Sequence, residues 1–295
     1  MSPAHTGAGG ERQPASAPTA RRIASRQHPV LKTLRRTLHS GRRARRSSRY
    51  VLDGIHLVEE ALSAGSQPEA VIVAPGLART AAGRALLERL QEAGWPRYEA
   101  SDALLRAHAP TQSPQGVLAL MQRPPMPAPD RWPSSSHAPL PALVLAGLQD
   151  PLNLGALARS AWAFGTRTVI ALQGTVDPFH PRALRASSGA LLHAQVIDDV
   201  ELERFAQWLS SRQGQAAALV TTGGIALERA AASTPRPLAL VLGSEGGGVP
   251  EAVLVRCRQR ISIPMAGKID SLGVAAAGAI ALYALGRASA PRSAG

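Results

Sequence analysis

The stretch Leu143-Val-Leu-Ala-Gly-Leu-Gln-Asp-Pro-Leu-Asn153-Leu-Gly155-Ala-Leu-Ala-Arg159-Ser-Ala161 sets an apolar run against a loop and then a helix. Leu143 to Ala146 has the continuous apolar character of a strand buried on both faces. Asn153 is placed to cap the helix that follows, and Gly155 admits close backbone approach. Arg159 lies six residues past Asn153, about 1.7 turns, so it sits roughly 120° away but still near the N-terminal end. Alone, the stretch fits a capped helix with one solvated arginine equally well.

Working outward, strands are expected near 142–146, 167–171, 194–198, 216–221, 238–242 and 260–263. Helices fall between them at about 153–164, 181–187, 200–212 and 250–256, with a last one over 272–286. Such alternation makes an α/β domain with a mostly parallel sheet. Ahead of it, seven prolines between 124 and 141 and the triplet Ser134-Ser-Ser136 predict a stiff, extended linker. A smaller α/β unit precedes the linker. Its strands are Tyr50–Leu52, Ala70–Ala74 and Val117–Met121; its helices start at Asp53-Gly54 and run over about 79–93 and 102–108. The expected division is a disordered basic arm (1–29), a first domain (30–122), a linker (123–139), a second domain (140–288) and a disordered tail (289–295).

The chain has 295 residues, 33 Lys/Arg against 20 Asp/Glu, and a formal charge of +13. Residues 1–49 hold 12 Lys/Arg and one acid, Glu11; that net of +11 leaves +2 for the rest. A basic segment ending in Arg42, Arg43, Arg45, Arg46 and Arg49 attracts polyanions, nucleic acid first. A solvated tail or a transit peptide has similar composition. Removing residues 1–46 is expected to leave the folded units whole. The single cysteine, Cys257, excludes a disulfide framework and a multi-cysteine metal site. Its neighbours Arg256 and Arg258 could lower its pKa, but nothing nearby completes a nucleophilic site. No apolar run is long enough to span a membrane, and a cytoplasmic setting is expected.

Two further segments carry chemistry. In Leu240-Val-Leu242-Gly243-Ser-Glu245-Gly-Gly-Gly-Val-Pro250, a strand empties into a glycine-rich loop with one carboxylate. It is neither a Walker loop nor a Rossmann fingerprint. In Ile261-Ser-Ile263-Pro264-Met265-Ala-Gly-Lys-Ile-Asp-Ser271-Leu272-Gly273-Val-Ala-Ala-Ala-Gly278, Ser271 is read as the cap of a helix built of Ala and Gly, small enough for very close packing.

In this order and spacing the three segments resemble the motifs of the SpoU/TrmH family of RNA ribose 2′-O-methyltransferases. The resemblance runs from about Ala142 to Leu285 and includes Pro181-Arg182-Ala-Leu-Arg185-Ala-Ser187-Ser-Gly189. Tyr50–Leu62 and Gln115-Gly116-Val-Leu-Ala119 are similar to that family's ribosomal-protein-like RNA-binding domain. The resemblance implies a trefoil-knotted, SPOUT-type C-terminal domain, a homodimer and S-adenosylmethionine as methyl donor. RNA is the implied substrate, ribosomal RNA ahead of transfer RNA.

It also implies roles. Arg159 would hold the target phosphate and stabilise the 2′-oxygen, which suits arginine better than literal deprotonation does. Asn153 would position Arg159 and the ribose, Glu245 would shape the site, and Ser271 would reach the substrate. The cofactor would lie against Thr221, Thr222, Gly223, Leu242, Gly243, Ile263, Pro264, Met265 and Leu272. Arg42, Arg43, Arg45, Arg46, Arg182 and Arg185 would meet RNA, and no metal is required. The departure is Gly273, where the family usually has Asn. That substitution supports the alternative of a non-catalytic RNA-binding protein with a degenerate knot.

Overall fold

The computed structural model describes residues 20–39, 47–133, 142–212, 215–232, 238–266 and 272–287. The first unit runs β1 (Arg21–Arg22), α1 (Pro29–His39), β2 (Arg49–Asp53), α2 (Ile55–Ser63), β3 (Pro68–Val73), α3 (Ala81–Glu92), β4 (Arg97–Glu99), α4 (Asp102–Arg106) and β5 (Val117–Gln122). These strands form one sheet in the order β1-β4-β3-β5-β2. Alternate residues of β2, β3 and β5 point to opposite faces, as period-two side chains must. Leu52, Val71 and Ala119 meet α2 and α3, while Val51, Ile72 and Leu118 meet α1.

The second unit runs β6 (Ala142–Leu145), α5 (Pro151–Ala163), β7 (Thr168–Leu172), α6 (Pro181–Ala186), α7 (Ala190–His193), β8 (Gln195–Val200) and α8 (Leu202–Ser211). It continues with β9 (Ala216–Leu219), β10 (Ile225–Ala226), α9 (Leu227–Ala232), β11 (Ala239–Leu242), α10 (Glu251–Leu254), β12 (Gln259–Ser262) and α11 (Val274–Arg287). The sheet order is β10-β12-β9-β11-β6-β7-β8, and every pairing in it is parallel. β6 and β11, at its centre, are buried along their whole length. α11 crosses α5 closely: a β-carbon at Gly278 would lie 2.2 Å from the end of Leu157.

Three expectations change. Residues 20–29 are not a disordered arm: β1 pairs with β4 and Ile23 is buried. Removing residues 1–46 would therefore cut into the first core, because Leu31 and Leu34 are fully buried. Residues 1–19, 40–46 and 289–295 lie outside the described residues. The described part of the linker is not a free extended spacer. Trp132 is buried 6.0 Å from Trp208, whose indole N–H donates to the Pro133 carbonyl, and Arg212 donates to that of Asp130. One tryptophan thus ties a proline-rich strap to α8.

The two units share a packed interface. Arg123, at the end of β5, donates to the Asp177 carboxylate, lies 3.7 Å from that of Asp198 and covers the Phe179 ring. Tyr50 stacks against the same ring, with centroids 4.9 Å apart. From α2, Glu60 meets His193 at 2.7 Å. The Arg123 and Asp177 side chains are nearly buried, so each charge depends on the other being present.

Candidate active site

A cavity of about 480 Å³ opens at the carboxyl ends of β9, β11 and β12, where open parallel sheets present their ligand crevices. Of the residues expected to hold a cofactor, Thr221, Leu242, Gly243, Ile263, Met265 and Leu272 line it. Thr222, Gly223 and Pro264 are exposed beside it and are not part of the lining. The sequence reading missed Val249 and Leu254, which close the apolar wall, and the carbonyl ends of β9 at Leu219 and Val220. The backbone around the cavity is tightly fixed. Ser244 and Gly248 exchange both main-chain hydrogen bonds across the glycine-rich loop, at 3.0 and 2.9 Å. A β-carbon at Gly243 would sit 1.9 Å from the Gly248 oxygen, so position 243 cannot carry a side chain in this loop.

The loop lifts Glu245 toward α5, where Asn153 donates from Nδ2 to Glu245 Oε1 at 2.5 Å. Here too the structure corrects the reading. Asp150 caps α5, accepting from the Leu152 N–H at 2.9 Å, and Pro151 occupies the first helical position. Asn153 is thereby freed to bridge to the loop. It does not contact Arg159, because six residues displace the two by about 9 Å along the axis as well as around it. Arg159 is exposed and its side chain makes no hydrogen bond or ion pair with a described residue.

Ser271, like Arg42, Arg43, Arg45 and Arg46, lies outside the described residues. α11 begins at Val274, and the Gly273 carbonyl accepts from the Ala277 N–H at 3.0 Å, which makes Gly273 the capping residue. A β-carbon there meets nothing within 4 Å, and the position borders the cavity. Gly273→Asn should therefore fold, with stability unchanged or raised by a few tenths of a kcal/mol, since Asn caps slightly better than Gly. A thermal melt checks this; a clear loss of stability would show that a neighbour presses on position 273.

Arg182 is exposed on α6. Arg185 instead faces the first unit, with Nη2 4.0 Å from Asp53 Oδ2. Burial pushes the Asp53 carboxyl above its usual range, against the downward pull of the Thr111 hydroxyl and Arg185. Cys257 is also shifted opposite to expectation. Burial drives its thiol up to about 11, and the charge acting on it is Arg260 rather than its sequence neighbours. Native Cys257 should resist iodoacetamide at neutral pH and react faster on unfolding; rapid labelling of the folded chain would contradict its raised, half-buried thiol.

Among the described residues, no helix is long and apolar enough to cross a membrane, and no group of His, Cys, Asp or Glu could hold a metal ion.

Residues 141–283 match the SpoU rRNA Methylase family, and residues 28–119 match the MRM3-like substrate binding domain. The chain is 31% identical over 264 residues to an uncharacterized tRNA/rRNA methyltransferase of Synechocystis, covering 88% of this chain and 92% of that one. It is 28% identical over 252 residues to the 23S rRNA (guanosine(2553)-2′-O)-methyltransferase of Bacillus subtilis, covering 84% and 92%. The AdoMet-bound rRNA methyltransferase of Sinorhizobium meliloti has the same fold, with a TM-score of 0.78 at 23% identity over 92% of this chain and 99% of that one. The chain belongs to the SpoU rRNA methylase family. It is an RNA methyltransferase in which a substrate-binding domain precedes the catalytic one.

Proposed function

We propose that this enzyme transfers a methyl group from S-adenosylmethionine to a ribose 2′-hydroxyl of structured RNA, with ribosomal RNA as the substrate. The observation that carries this reading is the cavity at the strand ends, with the Asn153–Glu245 pair joining its glycine-rich loop to α5. The cavity fits the donor. Its volume lies in the range of small-molecule sites, and its apolar wall of Leu242, Ile263 and Leu272 suits an adenine ring. Met265 and Leu272 are both more than a third exposed at its mouth, surface that a bound ligand would cover.

When bound, the donor supplies a methyl group already activated by its positive sulfur. The protein's task is to deliver an oriented oxygen and to manage its charge. Asn153 and Glu245 hold the loop and the ribose. Arg159, exposed and bonded to no described residue, holds the target phosphate and stabilises negative charge developing on the 2′-oxygen. The hydroxyl proton passes to substrate phosphate or water, because a guanidinium stays protonated. Ser271 contributes a hydroxyl to the substrate.

The domain containing residues 140–288 forms a trefoil knot and pairs with a second copy; Ile280 and Tyr283, exposed on α11, suit such a contact. Calorimetry with S-adenosylmethionine tests the donor, and mapping 2′-O-methylation in RNA from strains with and without the gene tests the reaction. Saturable binding and one missing modification are expected. The absence of both would leave the non-catalytic reading.

A further inference from the structure

The exposed side of α1 carries three cations and a histidine in a single row. Lys32, Arg35, Arg36 and His39 stand at i, i+3, i+4 and i+7, neighbours on one helix face. The other face is fixed by Leu31 and Leu34, both fully buried. α1 contains no acidic residue, and the side chains of Lys32, Arg35 and Arg36 make no hydrogen bond or ion pair with a described residue. Like charges at this spacing repel, so the row is unfavourable until a counter-charge arrives.

The row is not a general habit of this domain. α3, also on its surface, intersperses Arg84 and Arg89 with Glu88 and Glu92. Its arginines are engaged internally, Arg84 with the Ala78 carbonyl and Arg89 with the Ser63 hydroxyl. Nor does the N-terminal surplus lie in the extreme terminus, where residues 1–19 hold only Arg12 and Glu11. It begins with the exposed Arg21, Arg22 and Arg26 just ahead of α1. Finally, α1 covers the sheet face opposite to α2 and α3, and α2 and α3 pack on the side where the catalytic unit docks.

We infer that the Lys32–Arg35–Arg36–His39 row binds backbone phosphates of the substrate RNA at a place remote from the methylated nucleotide. The inference rests on RNA being the substrate. The row spans about 10 Å of helix axis and reads charge, not bases. It is ill-suited to a membrane, because the apolar face of α1 is spent on its own core and nothing is left to insert.

The test uses the full-length protein and purified ribosomal RNA, with affinity measured across a salt series. The triple variant Lys32→Gln, Arg35→Gln, Arg36→Gln should flatten the slope of log K against log salt by about 2, at roughly 0.7 per lost phosphate contact. The pair Arg35→Lys, Arg36→Lys should restore most of it. The pair Arg84→Gln, Arg89→Gln should leave the wild-type slope, and melting curves confirm that each variant folds. A triple variant with the wild-type slope, or equal flattening by the α3 pair, overturns the inference while RNA binding stands. Wild-type protein without affinity for RNA overturns both readings. Wild-type binding to anionic phosphatidylserine vesicles that the triple variant loses would replace RNA with a membrane and overturn the inference too.

Discussion

Replacing Arg159 with alanine should lower methyl transfer by about 10²–10³-fold, the usual consequence of deleting one electrostatic stabiliser from a site. The melting temperature should stay where it is, because the side chain is exposed and bonded to no described residue. Affinity for S-adenosylmethionine should also survive, since Arg159 does not line the cavity. Arg159→Lys should recover little, because an ammonium lacks the planar fork that grips a phosphate from two nitrogens. Single-turnover rates with saturating RNA make the measurement. Turnover near the wild-type rate in the alanine variant would move the charge-stabilising role to another residue.

Gly155→Ala should lower stability by about 1–3 kcal/mol, a fall of several degrees in melting temperature. The added methyl would lie 2.3 Å from the Ala183 carbonyl oxygen, 2.6 Å from the Ala186 β-carbon and 2.9 Å from the Ser187 nitrogen. Two of these neighbours are backbone and cannot swing aside, so α5 and α6 must separate. The sign of the result is decisive, because helix propensity alone favours Ala over Gly by roughly 0.5–1 kcal/mol. A more stable variant would show that the two helices are not in tight contact. Activity should fall as well. α5 carries Asn153 and Arg159, while the α6–α7 segment meets the first domain through Arg185, Ser188 and His193.

Much of the catalytic fold was legible because fully buried parallel strands read as short unbroken apolar runs, as Ala142–Leu145 and Ala239–Leu242 do. Five helices of this unit were then placed within a few residues of their bounds, while the short α7 and α9 were not foreseen. What escaped has equally physical causes. β4 is Arg-Tyr-Glu, and β10 has two residues, too few to show a period. α1 alternates apolar and basic positions inside a segment whose net charge dominates its composition. Trp132 was hidden among prolines, although one large aromatic side chain is enough to anchor a strap. At the site, residue types were readable but pairing was not. Asn153 and Glu245 are 92 positions apart, and only the adjacency of β6 and β11 brings them together. The capping role went to Asp150 because Asp-Pro at a helix start outcompetes a residue already one turn in.

The strap around Trp132 bears on how this protein can be divided. Judged by composition, the cut would fall near residue 140, after the prolines. A fragment begun there leaves Trp208 without its ring partner and strips the bonds from α8 to Asp130 and Pro133. The transferable unit instead starts just past Arg123, and Arg123 itself is the seam. Any graft of a different recognition domain onto this catalytic half inherits Asp177 as a buried carboxylate whose ion pair with Arg123 is gone. Exchange between relatives is therefore constrained at one position far more than along the whole join. A chimera that brings a neutral side chain to position 123 should lose about 3–5 kcal/mol of stability, read as a lower melting temperature, because Asp177 is left buried without its cation.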